Sequence, residues 1–461
     1  MIQRLLDKKI GALRRFSLAN IASASEADAK KASSKQSYWR FGRKAEYVVA
    51  FAILAVLLIS FFASLSMQNS KLVQWLGVDV PPPQTKSSGL IESGQPYNTS
   101  VWLAVAANAW AYFQPGVGVN PNTGLPYAAG TNFKAFTAWD LGCYIQAVID
   151  AQKLGLVSTG GTWGSSARLE KVVNFLETRP LNATTGYPFW YYNAINGQDY
   201  PALSNEATSP VDVVDTGRLF VALNNLRNYN SSLAPSIDYI VYNQSNYAAL
   251  LPDIESSAAS NNVYAYYVDS GFASFWPQQV GNIPSEVMDN IVDTRNVTTY
   301  SVSLPDTAIT CEPLLCSIFE LNNNSAQLNG LMKQVYLAHE AYYDATGHYA
   351  AFSEGNSFTS QYIYEWVIAP DGGTWKITNA QQNTYYNINP IIYTKVAFSF
   401  LALYNSTFAQ NLVAYLLKML PNPSNGYCDG ADSSGQCVPR AGSNTNSLIL
   451  EAALYAIQNK A

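Results

Sequence analysis

The chain has 461 residues, 27 basic against 32 acidic, a net charge of −5 and only 2 histidines. That acidic balance excludes nucleic acid as a partner, because binding it needs a basic face. Two histidines and the absence of closely spaced Cys/His ligands argue against zinc, and no metal or cofactor is expected.

Charge is distributed unevenly. Residues 1–44 carry 11 Lys/Arg and 3 Asp/Glu, leaving 16 basic and 29 acidic residues beyond them, so a tail of net +8 precedes a remainder of net −13. Next comes Ala45–Met67, a continuous apolar run with one charge, Glu46. Roughly 20 such residues in a helix span a ~30 Å hydrocarbon core. A cleaved signal peptide would need its apolar core nearer the start. The expected arrangement is a single-pass signal anchor in the cell membrane, with a cytoplasmic basic tail and everything after the span extracellular. Residues 68–96, rich in Pro, Ser and Gly, read as a stalk.

From 97 to 461 the apolar pattern is mostly helical. Three- and four-residue spacing predicts helices over Val101–Phe113, Trp139–Leu154, Ser166–Leu176, Val211–Leu226, Ser325–Thr346, Tyr393–Tyr404, Phe408–Leu420 and Ser447–Gln458. Weaker signals cover Val263–Phe275 and Pro313–Leu321. One strand pair is expected over Ser360–Ile377, around Asp371-Gly372-Gly373. Many helices without a βα rhythm exclude Rossmann and TIM architectures. The expected fold class is mainly α: one transmembrane helix, then an α/α toroid, an incomplete or complete (α/α)6 barrel, with minor β-hairpins.

Sequons at Asn98, Asn182, Asn230, Asn243, Asn296, Asn323 and Asn405 all fall after the span and suit glycosylation there. So do the cysteines, whose spacing suggests local disulfides Cys311–Cys316 and Cys428–Cys437, with Cys143 a buried thiol.

With charged residues at 13%, their placement is informative. Asp140, Asp215 (near Gly217 and Arg218), Glu312 and Glu354 stand at expected helix starts beside aromatics or glycines. Each alone suits a first helical turn, where exposed N–H groups favour a carboxylate. Several at the mouths of one ring would converge, and glycoside cleavage needs two such carboxyls. Of 10 Trp and 31 Tyr, many occupy loops. Trp139, Trp190, Tyr192 and Trp366 are candidates for packing on sugar rings, or else for the core.

Phe136–Val157 (FTAWDLGCYIQAVIDAQKLGLV), Trp190–Gln198, Val211–Leu226 (VDVVDTGRLFVALNNL), Val263–Phe272, Glu312–Glu320, Thr346–Asn356, Ile391–Ser406 and Asn444–Ala456 resemble, in order, the segments of the DUF3131 family. The resemblance covers most of 97–461. It implies an α/α toroid related to glycoside hydrolases, in a family associated with envelope polysaccharide systems. By position it marks Asp140, Asp215, Arg218, Glu312, Glu354, Lys395, Asn446 and Glu451 as signature polar residues. Arg218, Lys395 and Asn446 are then expected at the substrate, and Glu451 as a buried acid paired with Arg218 or Lys395. The expected function is a membrane-anchored, carbohydrate-active enzyme, a glycoside hydrolase or transglycosidase acting on an envelope or exported polysaccharide. Glu312 or Glu354 would be the general acid and Asp140 or Asp215 its ionised partner. The alternative is a non-catalytic glycan-binding or structural surface glycoprotein. Expected partners are a glycan, the lipid bilayer through one helix, and envelope polysaccharide machinery.

Overall fold

Six helical stretches are buried at every residue: 138–151, 216–223, 263–269, 311–318, 394–402 and 445–454. A helix with no solvated face must be surrounded by others, and that requirement sets the architecture. The computed structural model describes residues 97–130, 133–200, 209–321, 325–359 and 361–460. The basic tail, the apolar run at 45–67, the stalk and the sequon at Asn323 lie outside the described residues. Among the described residues, no helix is long and apolar enough to cross a membrane.

The helices are α1 (Thr99–Trp110), α2 (Ala138–Lys153), α3 (Ser165–Thr178), α4 (Val213–Tyr229), α5 (Ala234–Tyr239), α6 (Leu251–Ala259), α7 (Val263–Ala273), α8 (Ile283–Asp293), α9 (Cys311–Glu320), α10 (Ala326–Thr346), α11 (Thr394–Tyr404), α12 (Thr407–Leu417) and α13 (Ser443–Lys460). An inner ring closes through the contacts α2–α4–α7–α9–α11–α13–α2. Outside it, α3 packs on α2, α5 on α4, α8 on α7, α10 on α9 and α12 on α11, while α1 packs on α13 and joins the two ends of the domain. This is a complete (α/α)6 toroid.

Short strands decorate the ring. β1 (Ala135–Phe136) pairs with β2 (Tyr192–Asn193), and β3 (Asn296–Thr299) with β4 (Val302–Pro305). β5 (Glu354–Asn356), β6 (Tyr362–Ile368), β7 (Thr374–Asn379) and β8 (Tyr385–Tyr386) form an antiparallel sheet in that order. β9 (Ile391–Tyr393) pairs with β10 (Gly430–Asp432). The β6–β7 hairpin is the expected strand pair. It turns at Asp371-Gly372-Gly373, where Gly372 has φ +79°.

Two glycines fix the spacing of the ring. A Cβ on Gly271 would stand 2.2 Å from the Gly217 carbonyl oxygen, and one on Gly217 would stand 2.6 Å from Val268. Helices α4 and α7 therefore touch backbone to backbone, and a methyl group at either position would cost about 1–3 kcal/mol by overpacking.

The helical pattern foresaw the inner ring to within a few residues. It passed over α5, α6 and α8, each of which has proline in its first turn (Pro235, Pro252 and Pro284). There the missing N–H is no loss. The expected Cys311–Cys316 disulfide does not form. Both residues lie on α9, buried and five positions apart, about 7.5 Å along the helix axis, which puts them beyond the reach of a disulfide. Cys428 and Cys437 are also free thiols, although their sulfurs stand 2.8 Å apart.

Candidate active site

Each inner helix starts with polar residues, and the starts meet at one end of the ring. The Thr137 hydroxyl caps α2, and the Asp140 carboxylate accepts the Thr137 N–H in return at 3.0 Å. Asp212 caps α4 by accepting the Asp215 N–H at 2.9 Å. Asn262 caps α7 by accepting the Ala265 N–H at 3.0 Å. Glu312 opens α9 and Lys395 opens α11, and these two form a buried ion pair. Ser443 opens α13 and donates to Asp140 at 2.6 Å, tying the last inner helix to the first. Six positive helix ends thus surround one mouth and favour negative charge there.

Glu354 enters from β5, antiparallel to β6 and directly opposite Tyr364. It is buried, and its Oε2 accepts the Tyr264 hydroxyl at 2.7 Å. Burial and then the charge of Glu312 push its pKa up to about 8, against the opposing pull of Lys395, Tyr264 and Tyr364. The neighbouring residue, Ser353, donates to Glu312 at 3.1 Å. One wall of the mouth therefore holds a protonated carboxyl beside an ion-paired one.

On the other side, Asp215 is half-buried and Asp212 exposed. The Trp190 indole N–H donates to Asp215 at 3.2 Å. Loss of solvent between the protein walls, then the charges of Asp212 and Asp140, raise the Asp215 pKa well above the usual carboxylate range. Asp212 is raised too, chiefly by desolvation, while the backbone N–H groups of Asp215 and Val214 hold its charge. Glu354 is among the charges that raise Asp215, so the two carboxyls lie near each other at the mouth. Beside them opens a cleft of about 520 Å³, with Asp212, Val213, Tyr264, Tyr187, Asn262 and Asp253 in its walls. Its size and its apolar walls with a few polar groups suit a small-molecule or oligosaccharide ligand. Three buried polar atoms on the inner-helix starts have no hydrogen-bond partner: Trp139 Nε1, Glu312 Oε1 and Tyr393 Oη. Unsatisfied groups of this kind are costly unless a ligand or water meets them.

The structure redistributes the roles expected from sequence. Asp140 is a fully engaged cap, bonded to Thr137 and Ser443, and so acts as structure. Arg218 cannot reach a substrate. It is buried along the ring axis, paired with Glu320 and 3.7 Å from Glu451, and bonded to the Tyr267 hydroxyl. Glu451 is the buried acid that was expected, with Arg218 as its partner. Lys395 is likewise withdrawn, into its pair with Glu312. Tyr192 is a core residue whose hydroxyl donates to the Pro180 carbonyl at 2.8 Å. Trp366 is buried and bonded to Thr378, and it stacks on Tyr364 at 5.6 Å. Asn446 is spent on the backbone of Tyr427 and Gly442. Trp139 and Trp190 stay at the mouth. Sequence reasoning missed Asp212 and Asp253, and marked Tyr264 and Tyr364 only as members of aromatic runs. Asp212 was legible as a helix cap preceding Val213-Val214-Asp215, and Tyr364 only through its strand register.

Over residues 104–459 the chain matches the model of a family described as "Protein of unknown function (DUF3131)". An endo-β-1,2-glucanase from Chitinophaga pinensis, solved with sophorotriose and glucose, aligns with a TM-score of 0.56 at 13% identity, covering 78% of this chain and 93% of that one. A glucoamylase-like protein from Bacteroides caccae gives 0.56 at 15%, covering 78% and 94%. The endo-β-1,2-glucanase from Talaromyces funiculosus, solved with sophorose, gives 0.53 at 10%, covering 78% and 85%. At these identities the likeness is one of fold. No curated protein sequence matches the chain.

The protonated state of Glu354 has a consequence for stability. Its folded pKa of about 8 lies above the value of 4.5 for a free glutamate. The stability it contributes is therefore complete below pH ~4.5 and lost as pH rises through about 8, on the order of a few kcal/mol. Thermal unfolding followed from pH 5 to pH 8 should show Tm falling in the native chain and falling less in Glu354→Gln. Identical slopes would show that Glu354 is ionised throughout.

Proposed function

We propose that this chain, which belongs to the DUF3131 family, is a glycoside hydrolase-like enzyme acting on a polysaccharide at the mouth of its helical ring. The observation that carries this reading is a buried, proton-bearing Glu354 bonded to Tyr264, which lines the same cleft as Asp212 of the Asp212–Asp215 pair. Acid–base glycoside cleavage requires one carboxyl that bears a proton and one that takes it. Glu354 is the first, and the exposed Asp212, whose charge the backbone N–H groups of Asp215 and Val214 hold, is the second. Glu354 gives its proton to the departing glycosidic oxygen as the C–O bond breaks. The Asp212–Asp215 pair takes a proton from water as the new C–O bond forms. A sugar hydroxyl in place of water turns the same steps into transglycosylation. Tyr264 and Tyr364 hold Glu354 in place, and Trp190 and Trp139 supply aromatic surface for sugar rings.

Glu354→Gln and Asp215→Asn should each lower kcat at least about 100-fold in reducing-end assays across a polysaccharide panel, with smaller changes in KM. In the native chain the rate should fall as pH rises through about 8, as Glu354 loses its proton. Wild-type rates in both variants would remove the assignment. Binding without turnover in the native chain would support the non-catalytic reading.

We also propose that residues 45–67 anchor this domain in a membrane, with the ring on the outer side. The apolar run, the basic tail before it and the sequons after it support that arrangement. The described sequon asparagines (Asn98, Asn182, Asn230, Asn243, Asn296 and Asn405) are exposed or half-buried, within reach of modification. In an oxidising exterior the Cys428–Cys437 thiols are placed to join. The full chain should stay in the membrane pellet after carbonate extraction, and its domain should be cut by protease added to intact cells. Release into the soluble fraction would contradict the anchor.

A further inference from the structure

The cleft beside the carboxyls has a one-sided electrostatic character. Asp212 and Asp253 stand in its walls, and among the described residues no lysine or arginine does. Asp253 is exposed in the first turn of α6, and no salt bridge reaches it among the described residues. The two buried cations of the inner helices are already committed, Lys395 to Glu312 and Arg218 to Glu320 and Glu451. Under the cleft floor lies Asp269, one helical turn from Ala265, which lines the cleft, and close to Ser257, which also lines it. Asp269 is completely buried, with the Ser257 hydroxyl the side chain that reaches its carboxyl. The hydroxyls of Ser256, Ser257 and Ser260, the Asn262 amide and the Tyr187 and Tyr264 rings complete the walls. They offer hydrogen-bonding and aromatic partners for a sugar ring, and the two helix starts that open into the cleft, those of α4 and α7, are already capped by Asp212 and Asn262.

We propose that this cleft accepts glycan units that are neutral or carry an amine, and rejects units bearing carboxylate, sulfate or phosphate. In this assignment Asp253 is the specificity-determining residue, and the assignment rests on the mouth being a glycan site. An anionic sugar entering the cleft meets like charge on two walls without a counter-ion, and that repulsion weakens its binding relative to a neutral sugar. The chain beyond its tail, at net −13, repels a polyanion before it docks. An ammonium group on the sugar would instead find two carboxylates. This is specificity by exclusion, in which an unpaired charge is placed against the wrong ligand.

The test measures binding by calorimetry, with the full chain in mild detergent. The probes are gluco-oligosaccharides of several linkages, chitosan oligosaccharides and oligogalacturonates of matched length. Neutral or amino oligomers should bind, with oligogalacturonate weaker by at least about tenfold. Asp253→Lys should close or reverse that gap, and the near-isosteric Asp253→Asn should give an intermediate ratio. Oligogalacturonate binding as tightly as the neutral set, an unchanged ratio in both variants, or binding of no probe would overturn the proposal. Binding without cleavage would remove the catalytic reading and leave this one standing. Cleavage of an acidic polysaccharide would do the reverse.

Discussion

Two cations inside the ring, Arg218 and Lys395, face more carboxyls than they can neutralise. Lys395 is spent on Glu312, and Arg218 is shared between Glu320 and Glu451. Glu354 has no cation of its own, and burial stops water from taking that place. A buried carboxyl without a counter-ion keeps its proton, so the imbalance makes protonated acids at neutral pH. The same shortage appears deeper along the axis, where burial and then the charge of Glu320 raise the pKa of Glu451. Proton-bearing acid at the mouth is therefore a property of the whole charge arrangement, with Glu354, bonded to Tyr264 in the cleft wall, its clearest result.

Ring geometry decides where this imbalance is expressed. The six inner helices bring their N-terminal ends together at one mouth, and each end has exposed N–H groups that favour acids and caps. Asp140, Asp212 and Ser443 are spent partly on that capping, which fixes the helix starts against one another. Glu354 escapes the role because it comes from a strand, and Asp215 because Asp212 already caps its helix. Structural acids and candidate catalytic acids are thus separated by which backbone groups they must satisfy. The contact of Gly217 with Gly271 brings α4 and α7 close, and so sets Asp212 and Tyr264 in the walls of one cleft.

Much of this was legible in the sequence. Helical periodicity and the order of motifs foretold the toroid, and acids at helix starts foretold a convergent mouth. Identity and chain position could not say which acids were free. Asp140 and Asp215 look alike as first-turn carboxylates, yet one closes a capping box with Thr137 and the other meets Trp190 across the mouth. Arg218 and Lys395 looked available for substrate because their partners, Glu320 and Glu312, are 102 and 83 residues away and meet them only in the closed ring. Trp366 and Tyr192 looked like sugar platforms for a similar reason, since aromatic composition does not distinguish a wall from a core. Outer helices opening with proline were hidden because proline marks both helix starts and loops.

The central claim is that Glu354 and the Asp212–Asp215 pair flank a bound glycan. The most direct measurement is a crystal structure of the Glu354→Gln variant with an oligosaccharide that binds the native chain. A glycosidic oxygen within about 3 Å of the residue 354 side chain, with Asp212 or Asp215 on the opposite face of the sugar, is the expected result. A glycan seated elsewhere on the domain, with this mouth filled only by water, would contradict the account.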